Sequence, residues 1–500
     1  MRGGSVTELR YRRVLLIELE YPTSVYEEQR QLDAGLGYVS EALSLHGITN
    51  QVISVGSYGD EKALYASVRE FSPDLIGFTM RSLNFRHNYG VIARIEEAFP
   101  SVATLVGGPH MSTFKEKALA DCPAIDFGVV LEGEETIVEL CRRERPFEDI
   151  LGLLYRTPEG EIHYAGPRPF IQDLDAVAFP TYSTFMAHHN KVVPIVSSRG
   201  CPYSCIFCPV GVTIGRKWRA RSAANVAEEI EWWYRKGYRQ FDFTDDNFTL
   251  QKKRVYEFCE EVERRGLKGT LFSCGNGIRA DGVDRALLAR MKEVGFYQVS
   301  FGVEAGNDRI LKNIKKGETI DQIRSAIAYA CELDYQVKLT FLIGSPGETW
   351  ADIEDSLRLA KEFPVWKVNF FNLIPFPGAE LYDWISERGY WLVDPDECLN
   401  EVNHWSYDKP AFETPELSAA ERIRAADYAN SSLARDGRME KAAQKFERLK
   451  VQKVLEARGV SGKIARLAAS LYLSDRLQGF LERHQRLADL VYRARLRLLP

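Results

Sequence analysis

Three cysteines stand within eight residues of one another, Cys201, Cys205 and Cys208, directly after an apolar segment that predicts a β-strand. Three thiolates at this spacing can hold one iron-sulfur cluster and leave one iron without a protein ligand, so that a substrate can bind there. The alternatives are a structural zinc site and burial as unrelated core cysteines. A structural zinc ion needs four ligands, and the nearby imidazoles of His188 and His189 lie before the predicted strand. The pattern therefore favours a redox cluster that is open to substrate.

Four further segments carry polar residues or glycine at the ends of predicted strands downstream of the cysteines. They are FTDDNFT at 243–249, GVEAG at 302–306, FLIGSPGET at 341–349 and IPFPGAEL at 374–381. Each segment has a plain structural alternative: the aspartates could cap the helix that starts near Lys252, Glu304 could pair with Arg279, and Pro-Gly steps make turns. Taken one at a time, these segments do not establish a ligand site.

The elements that position these residues follow an α/β pattern. Between residues 10 and 145, short apolar runs alternate with amphipathic stretches, which predicts a doubly wound, flavodoxin-like or Rossmann-like domain with five mostly parallel strands. Ligands of such sheets lie beyond the carboxyl ends of the strands. Gly107 and Gly108 follow the fourth run there, and Glu134 follows the fifth. The alternative for the paired glycines is an ordinary turn.

The rest of the chain divides into three segments. Residues 146–190 predict a connector with a β-hairpin that turns at Pro158, Glu159 and Gly160. Residues 191–390 repeat strand and helix six times, which predicts a partial (β/α)6 barrel with its active site on the loops after the strands. Residues 391–500 become rich in Ala, Leu, Arg, Glu and Lys, so we expect a helical C-terminal region.

Composition limits the protein class and location. Of the 500 residues, 45% are apolar and 27% are charged, as in soluble globular proteins of two to four domains. No apolar run approaches the roughly 20 residues of a spanning helix. Nine cysteines and charged residues near the start, where a signal peptide would be apolar, favour a reducing, cytoplasmic location. The net charge of -5 gives no general affinity for nucleic acid, although residues 431–500 carry 16 basic and 7 acidic residues.

The cysteine spacing, with Phe207 before the last cysteine, resembles the CxxxCxxC signature of the radical S-adenosylmethionine (radical SAM) superfamily. The resemblance implies that the three cysteines ligate a [4Fe–4S] cluster whose open iron binds S-adenosylmethionine. It also implies contacts of the downstream segments with that ligand. The implied contact residues are Asp245, Asp246 and Asn247 for the amino group, Glu304 for the ribose and Gly344 near the adenine. The segment at 374–381 resembles the last barrel strand of the family, although Ala379 stands where threonine is common.

The first domain resembles the cobalamin-binding domain of cobalamin-dependent radical SAM proteins, through the segments LGYVSEAL, LIGFTM, LVGGPH and VVLEGEET. The resemblance implies that Gly107, Gly108 and Glu134 line a cobalamin site. The chain departs from cobalamin-dependent mutases, because ELEYPTSVYEEQ replaces their Asp-x-His-x-x-Gly motif after the first strand. His110 is a candidate cobalt ligand, and the alternative is a loop histidine that lines the pocket or is exposed. A flavodoxin-like domain that has lost its cofactor is the alternative for the domain.

The resemblance implies an enzyme in which a 5′-deoxyadenosyl radical abstracts hydrogen from an unactivated carbon. Methyl transfer from methylcobalamin to a small or specialised metabolite is the expected outcome. Radical cyclisation, ring contraction and dehydration without methyl transfer are the alternatives, because the motifs do not choose among them. The expected partners are a small-molecule substrate and an external electron donor of the flavodoxin or ferredoxin type.

The basic tail leaves a different class of function open. Between Leu467 and Val491, apolar residues at helical spacing alternate with arginines, which is compatible with RNA binding or with peripheral contact to a membrane. The simpler interpretation is a helical cap with a solvated basic face. Methylthiotransferases that modify transfer RNA carry a second cluster on three cysteines in their first domain, and only Cys122 and Cys141 occur there. Nucleic acid is therefore not an expected partner.

Overall fold

The computed structural model describes residues 9–19, 32–53, 61–186, 192–401 and 409–434, and these residues divide into two compact units. The first unit contains the described residues below 191 together with Ser198–Arg221 and Ile374–Phe412. The second contains those from 192 to 197, Ser222–Leu373 and those above 412. The loop with the three cysteines thus belongs to the first unit. The division into segments 10–145, 146–190, 191–390 and 391–500 stays a prediction.

A seven-stranded sheet organises the first unit, in the order β2-β1-β3-β4-β5-β6-β7. The strands are β1 Arg13–Glu18, β2 Thr49–Ile53, β3 Leu75–Thr79, β4 Ala103–Gly107, β5 Phe127–Val129, β6 Leu153–Arg156 and β7 Ile162–Tyr164. The first five strands are parallel and follow the flavodoxin-like order 2-1-3-4-5. Val14 to Ile17 of β1 are all buried, as expected of a strand with helices on both faces. The predicted doubly wound fold is confirmed.

Six helices connect or follow these strands. They are α1 Ala34–Leu45, α2 Glu61–Phe71, α3 Phe85–Ala98, α4 Pro109–Phe114, α5 Glu116–Asp121 and α6 Glu134–Cys141. The predicted hairpin is present as β6 and β7, and β6 pairs antiparallel with β5. The hairpin therefore extends the parallel sheet by two strands. Short 3₁₀ helices follow α6 and β7 at Phe147–Asp149 and Leu174–Ala176.

The cysteine loop lies between two very short strands. After β8 (Val192–Ile195), which belongs to the second unit, the chain forms β9 (Ser198–Arg199) and β10 (Arg219–Ala220) in the first unit. These two strands pair antiparallel, so that main-chain hydrogen bonds close the base of the loop. Helix α7 (Val210–Thr213) follows the last cysteine and contacts α4.

A six-stranded sheet organises the second unit, in the order β15-β14-β13-β12-β11-β8. The strands that follow β8 are β11 Gln240–Phe243, β12 Leu271–Ile278, β13 Phe296–Glu304, β14 Gln336–Ile343 and β15 Lys367–Asn372. All neighbours are parallel and consecutive within the sheet's own series. This arrangement of strands and intervening helices is the predicted partial (β/α)6 barrel.

Capping residues mark the start of several helices of the second unit. The helices are α8 Ala223–Arg235, α9 Lys252–Arg264, α10 Arg285–Val294, α11 Asp308–Asn313, α12 Ile320–Glu332 and α13 Trp350–Glu362, and a 3₁₀ helix covers Ala280–Gly282. Ser222 caps α8 and Asp284 caps α10, because each side chain accepts a main-chain N–H of the first turn. Thr319 and Gln322 form a capping box at α12.

Aromatic side chains fill the space between α9 and the barrel sheet. Phe243, Phe258, Phe272 and Phe296 are almost completely buried, with ring centroids 5.1–6.1 Å apart. Burying each such ring contributes about 1.5–3 kcal/mol, so this cluster holds the helix against the strands whose ends carry the polar segments.

Three helices follow the last strand, α14 Glu380–Arg388, α15 Cys398–Glu401 and α16 Ala419–Ala434. Helix α16 packs against α13, β14 and β15 of the second unit. The basic segment from Ser431 is described only up to 434, so the amphipathic pattern between Leu467 and Val491 lies outside the described residues. Within the described ranges, no helix has the length and apolar character needed to cross a bilayer.

Candidate active site

The three cysteines share one partly exposed loop. Cys201, Cys205 and Cys208 are half-buried, and the N–H of Cys208 donates to the carbonyl of Cys205 at 3.2 Å. Other cysteines have a different environment: burial raises the pKa of Cys122 to about 11 and that of Cys259 to about 12. Such thiols stay protonated and are poor metal ligands. The loop cysteines are therefore the thiols with the access that a cluster needs.

The loop suits a cluster better than a single ion. Across the described residues, no three histidine, cysteine or carboxylate side chains converge as they would around one metal ion. A [4Fe–4S] cluster takes each of its thiolates on a different iron, so its ligands are spread more widely than those of zinc. Phe207 is half-buried in the same loop. The donor set, three cysteine side chains on one short loop, fits the cluster.

Two arginines at the base of the loop are neutralised by the segment after β5. Arg199 and Arg219 are opposite each other in the β9–β10 pair. Glu132 accepts from Nη1 of Arg199 at 2.8 Å and from Nη1 of Arg219 at 2.8 and 2.9 Å, and Glu134 accepts from Nη2 of Arg199 at 2.7 Å. Burial alone would lower the pKa of Arg199, but Glu134 and Glu132 raise it above its usual value. Glu134, predicted to line the cobalamin site, thus has a structural partner at the cysteine loop.

Gly107, the last residue of β4, leaves room at the carboxyl end of the first sheet. A Cβ added at Gly107 would meet no atom closer than Cβ of Val129, at 4.0 Å. Gly108 then precedes α4 at its N-terminus. This open approach to the main chain fits the broad ring of cobalamin. Most of the segment ELEYPTSVYEEQ after β1 lies outside the described residues.

His110 is enclosed by aromatic rings. It is fully buried in α4, its ring centroid lies 4.5 Å from that of Phe114 and 5.2 Å from that of Phe85, and its Nε2 lies 2.7 Å from the hydroxyl of Tyr89. Burial lowers the pKa of His110 to about 3, so the ring is neutral. The interpretation as an exposed loop histidine is wrong, because the helix packs its ring into the core. The same enclosure disfavours a role as cobalt ligand.

The polar segment after β11 contains two different kinds of side chain. Asp245 accepts from the main-chain N–H of Ser197 at 2.6 Å and from its hydroxyl at 2.5 Å, and Arg254 also donates to that hydroxyl. Asp245 therefore holds the end of β8. Asn247 is buried, and its Oδ1 accepts no hydrogen bond from any described residue. An unused buried acceptor fits an ammonium donor such as the amino group of S-adenosylmethionine.

The aspartates do not cap α9, which was their structural alternative. The residue before this helix is Gln251, and no side chain caps it. Asp246 is half-buried in the same turn, so its predicted contact with the ligand stays a prediction.

Glu304 ends β13 in an unusual backbone conformation. Its φ is +65°, and the pairing with β14 shifts register between Gly302 and Glu304. Its carboxylate accepts from Nζ of Lys316 at 3.1 Å. The predicted alternative partner Arg279 is wrong, because that side chain binds Asp281 instead.

Gly344 lies against a buried arginine of α16. Its φ is +98°, and a Cβ there would lie 2.4 Å from Cζ of Arg422. Arg422 is fully buried, and its Nη2 donates to the carbonyls of Ile343 and Leu373 at 3.1 and 3.3 Å. Glu348 accepts the N–H of Gly344 at 2.6 Å, and burial raises the pKa of this carboxyl. The loop after β14 is thus held from both sides.

The sites fall into two groups. Asp245, Asn247, Glu304 and Gly344 follow the carboxyl ends of strands in the sheet of the second unit. The cysteines, Gly107, Gly108 and Glu134 belong to the first unit.

Sequence reasoning missed three cationic residues that hold the site segments: Arg199, Lys316 and Arg422. Arg199 stands two residues before Cys201, which was a usable signal. For Lys316, the two consecutive lysines before Gly317 were a weaker signal. No nearby sequence pattern indicates the role of Arg422. This residue binds the carbonyl of Ile343, which lies 79 residues earlier in the chain.

Two family models and several known proteins match the chain. The Radical SAM superfamily model matches residues 195–360, and the B12 binding domain model matches residues 28–141. The chain is 31% identical over 346 residues to the uncharacterized methyltransferase PH0819 of Pyrococcus horikoshii, across 66% of this chain and 74% of that protein. The chain belongs to the cobalamin-dependent radical SAM family.

Two further similarities extend across most of this radical SAM enzyme. Cytidylyl-2-hydroxyethylphosphonate methyltransferase of Streptomyces wedmorensis is 26% identical over 491 residues, covering 84% of this chain and 90% of that protein. The structure of the radical SAM methyltransferase TsrM from Kitasatospora setae, with cobalamin and a [4Fe–4S] cluster bound, superposes with a TM-score of 0.64 at 19% identity. That comparison covers 83% of this chain and 85% of TsrM, and it shows the shared fold.

As a cobalamin-dependent radical SAM enzyme, the protein uses a [4Fe–4S] cluster, S-adenosylmethionine and cobalamin. The residues described above fit these groups in kind: three thiols for iron, an unused buried acceptor and a carboxylate for S-adenosylmethionine, and the open space at Gly107 for cobalamin.

Proposed function

We propose that this enzyme methylates an unactivated carbon of a small or specialised metabolite. The observation that carries the proposal is that three cysteines on one loop and a flavodoxin-like sheet of the cobalamin-binding type occur in one compact unit of the chain. The relative from Streptomyces wedmorensis, which matches nearly the full length, is itself named a methyltransferase. The same is true of the relative from Pyrococcus horikoshii.

The proposed residue roles follow the chemistry of each side chain. Cys201, Cys205 and Cys208 hold the cluster, beside Phe207. Oδ1 of Asn247 accepts from the amino group of S-adenosylmethionine, with Asp245 and Asp246 shaping the same turn. The remaining proposed contacts are Glu304 to the ribose, Gly344 to the adenine, and Gly107, Gly108 and Glu134 to cobalamin.

When bound, the cluster supplies the electron that cleaves S-adenosylmethionine, and cobalamin carries the methyl group. The protein's own contribution is to orient S-adenosylmethionine and to limit access of water and of competing hydrogen donors. Asp245 serves this end by fixing Ser197 at the end of β8. An electron donor of the flavodoxin or ferredoxin type and a cytoplasmic location complete the proposal.

Isotope transfer tests the proposal. Protein prepared without oxygen with iron, sulfide and hydroxocobalamin is given reductant and S-adenosylmethionine labelled with ¹³C in its methyl group. We expect 5′-deoxyadenosine to form and the label to pass to the protein-bound cobalamin, with S-adenosylhomocysteine as the other product. In the presence of the authentic substrate, the product gains one labelled methyl group.

Two results would contradict the proposal in different ways. Formation of 5′-deoxyadenosine with no label on cobalamin or product would favour cyclisation, ring contraction or dehydration. A protein without inorganic sulfide after this preparation would remove the radical chemistry altogether. The basic segment beyond 434 is tested separately by sedimentation with anionic vesicles and by a salt-dependent RNA binding assay.

A further inference from the structure

Lys316 and Glu304 form a buried ion pair at the end of β13. Nζ of Lys316 lies 3.1 Å from Oε1 of Glu304, and the two side chains are only 8% and 9% exposed. A second carboxylate, Glu318, places its Oε2 3.5 Å from the same Nζ. One ammonium group thus serves two buried carboxylates. Glu318 also lies 3.9 Å from Nη1 of Arg279, so removal of the lysine would deprive Glu304 above all of its cation.

The backbone around the pair is shaped to admit it. Glu304 has a left-handed φ of +65°, a conformation that non-glycine residues adopt only where the surroundings hold them. A Cβ at Gly302 would lie 2.5 Å from Oε1 of Glu304 and 3.3 Å from Nζ of Lys316. A side chain at position 302 would therefore displace the ion pair, so the first glycine of the GVEAG segment makes room for it.

Hydrogen bonds also fix the main chain of Lys316 and the side chain of its neighbour Glu318. Nη1 of Arg279 donates to the carbonyl of Lys316 at 2.8 Å, and Oε1 of Glu318 accepts the N–H groups of Ala280 and Asp281 at 2.6 and 3.2 Å. The segment with Lys316 and Glu318 is thereby tied to the turn after β12. Such support fixes where Nζ can go and, through it, where the Glu304 carboxylate can go.

We infer that Lys316 is a positioning residue for S-adenosylmethionine, acting through Glu304. The lysine occupies Oε1, and Oε2 of Glu304 accepts no hydrogen bond from any residue in the described ranges. That second oxygen is left to accept the ribose hydroxyls. The inference rests on the ribose contact that the proposed function assigns to Glu304.

Ribose-modified ligands separate this role from a merely structural one. Dissociation constants of S-adenosylmethionine and of its 2′-deoxy analogue are measured by calorimetry without oxygen, using the reconstituted full chain. We expect the unsubstituted protein to bind S-adenosylmethionine about tenfold more tightly than the analogue, because the carboxylate–hydroxyl hydrogen bond is lost in the latter. In Lys316→Met this ratio falls to about one, and Lys316→Arg restores part of it.

Two further variants serve as controls. Lys312→Met removes an exposed lysine from the neighbouring helix α11 and should leave the ratio unchanged. The double variant Lys316→Met, Glu318→Gln removes one charge of each sign, which keeps the net charge of the buried cluster and controls for misfolding of Lys316→Met. This variant should also lose the preference for S-adenosylmethionine over its 2′-deoxy analogue. A Lys316→Met protein that still prefers S-adenosylmethionine tenfold would overturn the positioning role alone. Equal binding of both ligands by the unsubstituted protein would remove the ribose contact and the inference with it, while formation of 5′-deoxyadenosine reports independently on the proposed function.

Discussion

The carboxylates of the two units are used in different ways. In the first unit, both oxygens of Glu132 accept from the guanidinium groups of Arg199 and Arg219 at the base of the cysteine loop, whereas Glu134 accepts from Arg199 through Oε1. In the second unit, Glu304 has one lysine contact on one oxygen. A carboxylate whose two oxygens both accept from arginine has a structural role. A carboxylate with one unoccupied oxygen can still accept a hydrogen bond from a ligand. Burial alone does not separate the two cases, because all three glutamates are largely buried.

The largest expected effect concerns the loop that the first network holds. Cys205→Ala should abolish the visible absorption of the cluster and the formation of 5′-deoxyadenosine, because the cluster loses one of its three thiolates. Cobalamin absorption should persist, since the glycine step at Gly107 and Gly108 is untouched. Optical and paramagnetic spectra of the reconstituted protein measure both cofactors. Cys331→Ala, a half-buried cysteine outside the loop, is the matched control. Loss of cobalamin together with the cluster would contradict separate binding.

The next largest effect tests whether the first network is structural. Arg199→Met should lower the free energy of unfolding by about 3–5 kcal/mol, because the buried carboxylate of Glu134 loses its guanidinium partner, while Glu132 keeps Arg219. Chemical denaturation followed by fluorescence measures this change. Arg94→Met, which breaks an exposed pair with Glu61, should cost about 0–1 kcal/mol. Similar losses of unfolding free energy in both variants would show that the buried ion pairs of Arg199 contribute no more to stability than an exposed pair does.

The corresponding test of the second unit measures the affinity for S-adenosylmethionine rather than the free energy of unfolding. Glu304→Ala should weaken binding of S-adenosylmethionine by about 10- to 100-fold, since hydrogen bonds to charged groups contribute roughly 1.5–3 kcal/mol. Calorimetry without oxygen measures the dissociation constant. Glu332→Ala, an exposed glutamate of the same unit, is the control and should bind normally. Unchanged affinity in Glu304→Ala would place this glutamate with Glu132 as a structural residue.

The smallest effect near neutral pH concerns His110, because its contribution to stability changes only as the pH falls below 6.5. His110 has a pKa of about 3 in the folded protein, lowered by burial, and about 6.5 when unfolded. The unfolded chain therefore binds the extra proton as pH falls below 6.5, and the folded state loses about 1.4 kcal/mol per pH unit down to pH 3. His110→Phe should flatten this part of the stability profile and leave the cobalamin bands unchanged. An unaltered profile, or shifted cobalamin bands, would show that His110 is solvated or close to cobalt.

Much of the fold could be predicted because its periodic signals are local. The buried run Val14–Ile17 and the cap at Ser222 report burial and helix initiation within a few residues. The cysteine triad was likewise readable, because its three ligands lie on one loop. The structural alternative for Glu304, a pair with Arg279, failed for the opposite reason. Arg279 precedes Glu304 in the chain and Lys316 follows it, and the sequence does not show which of the two turns faces the carboxylate.

The chain's order of residues alone determined the two α/β sheets, the thiol loop and the family to which the protein belongs, since periodicity and motif spacing are properties of neighbouring positions. Only the tertiary structure decided that His110 is a neutral core residue, that Asp245 holds Ser197, and that Lys316 and Arg422 support the loops after β13 and β14. These assignments depend on desolvation and on pairing between groups far apart in the chain, and both arise only when the sheets and helices have packed.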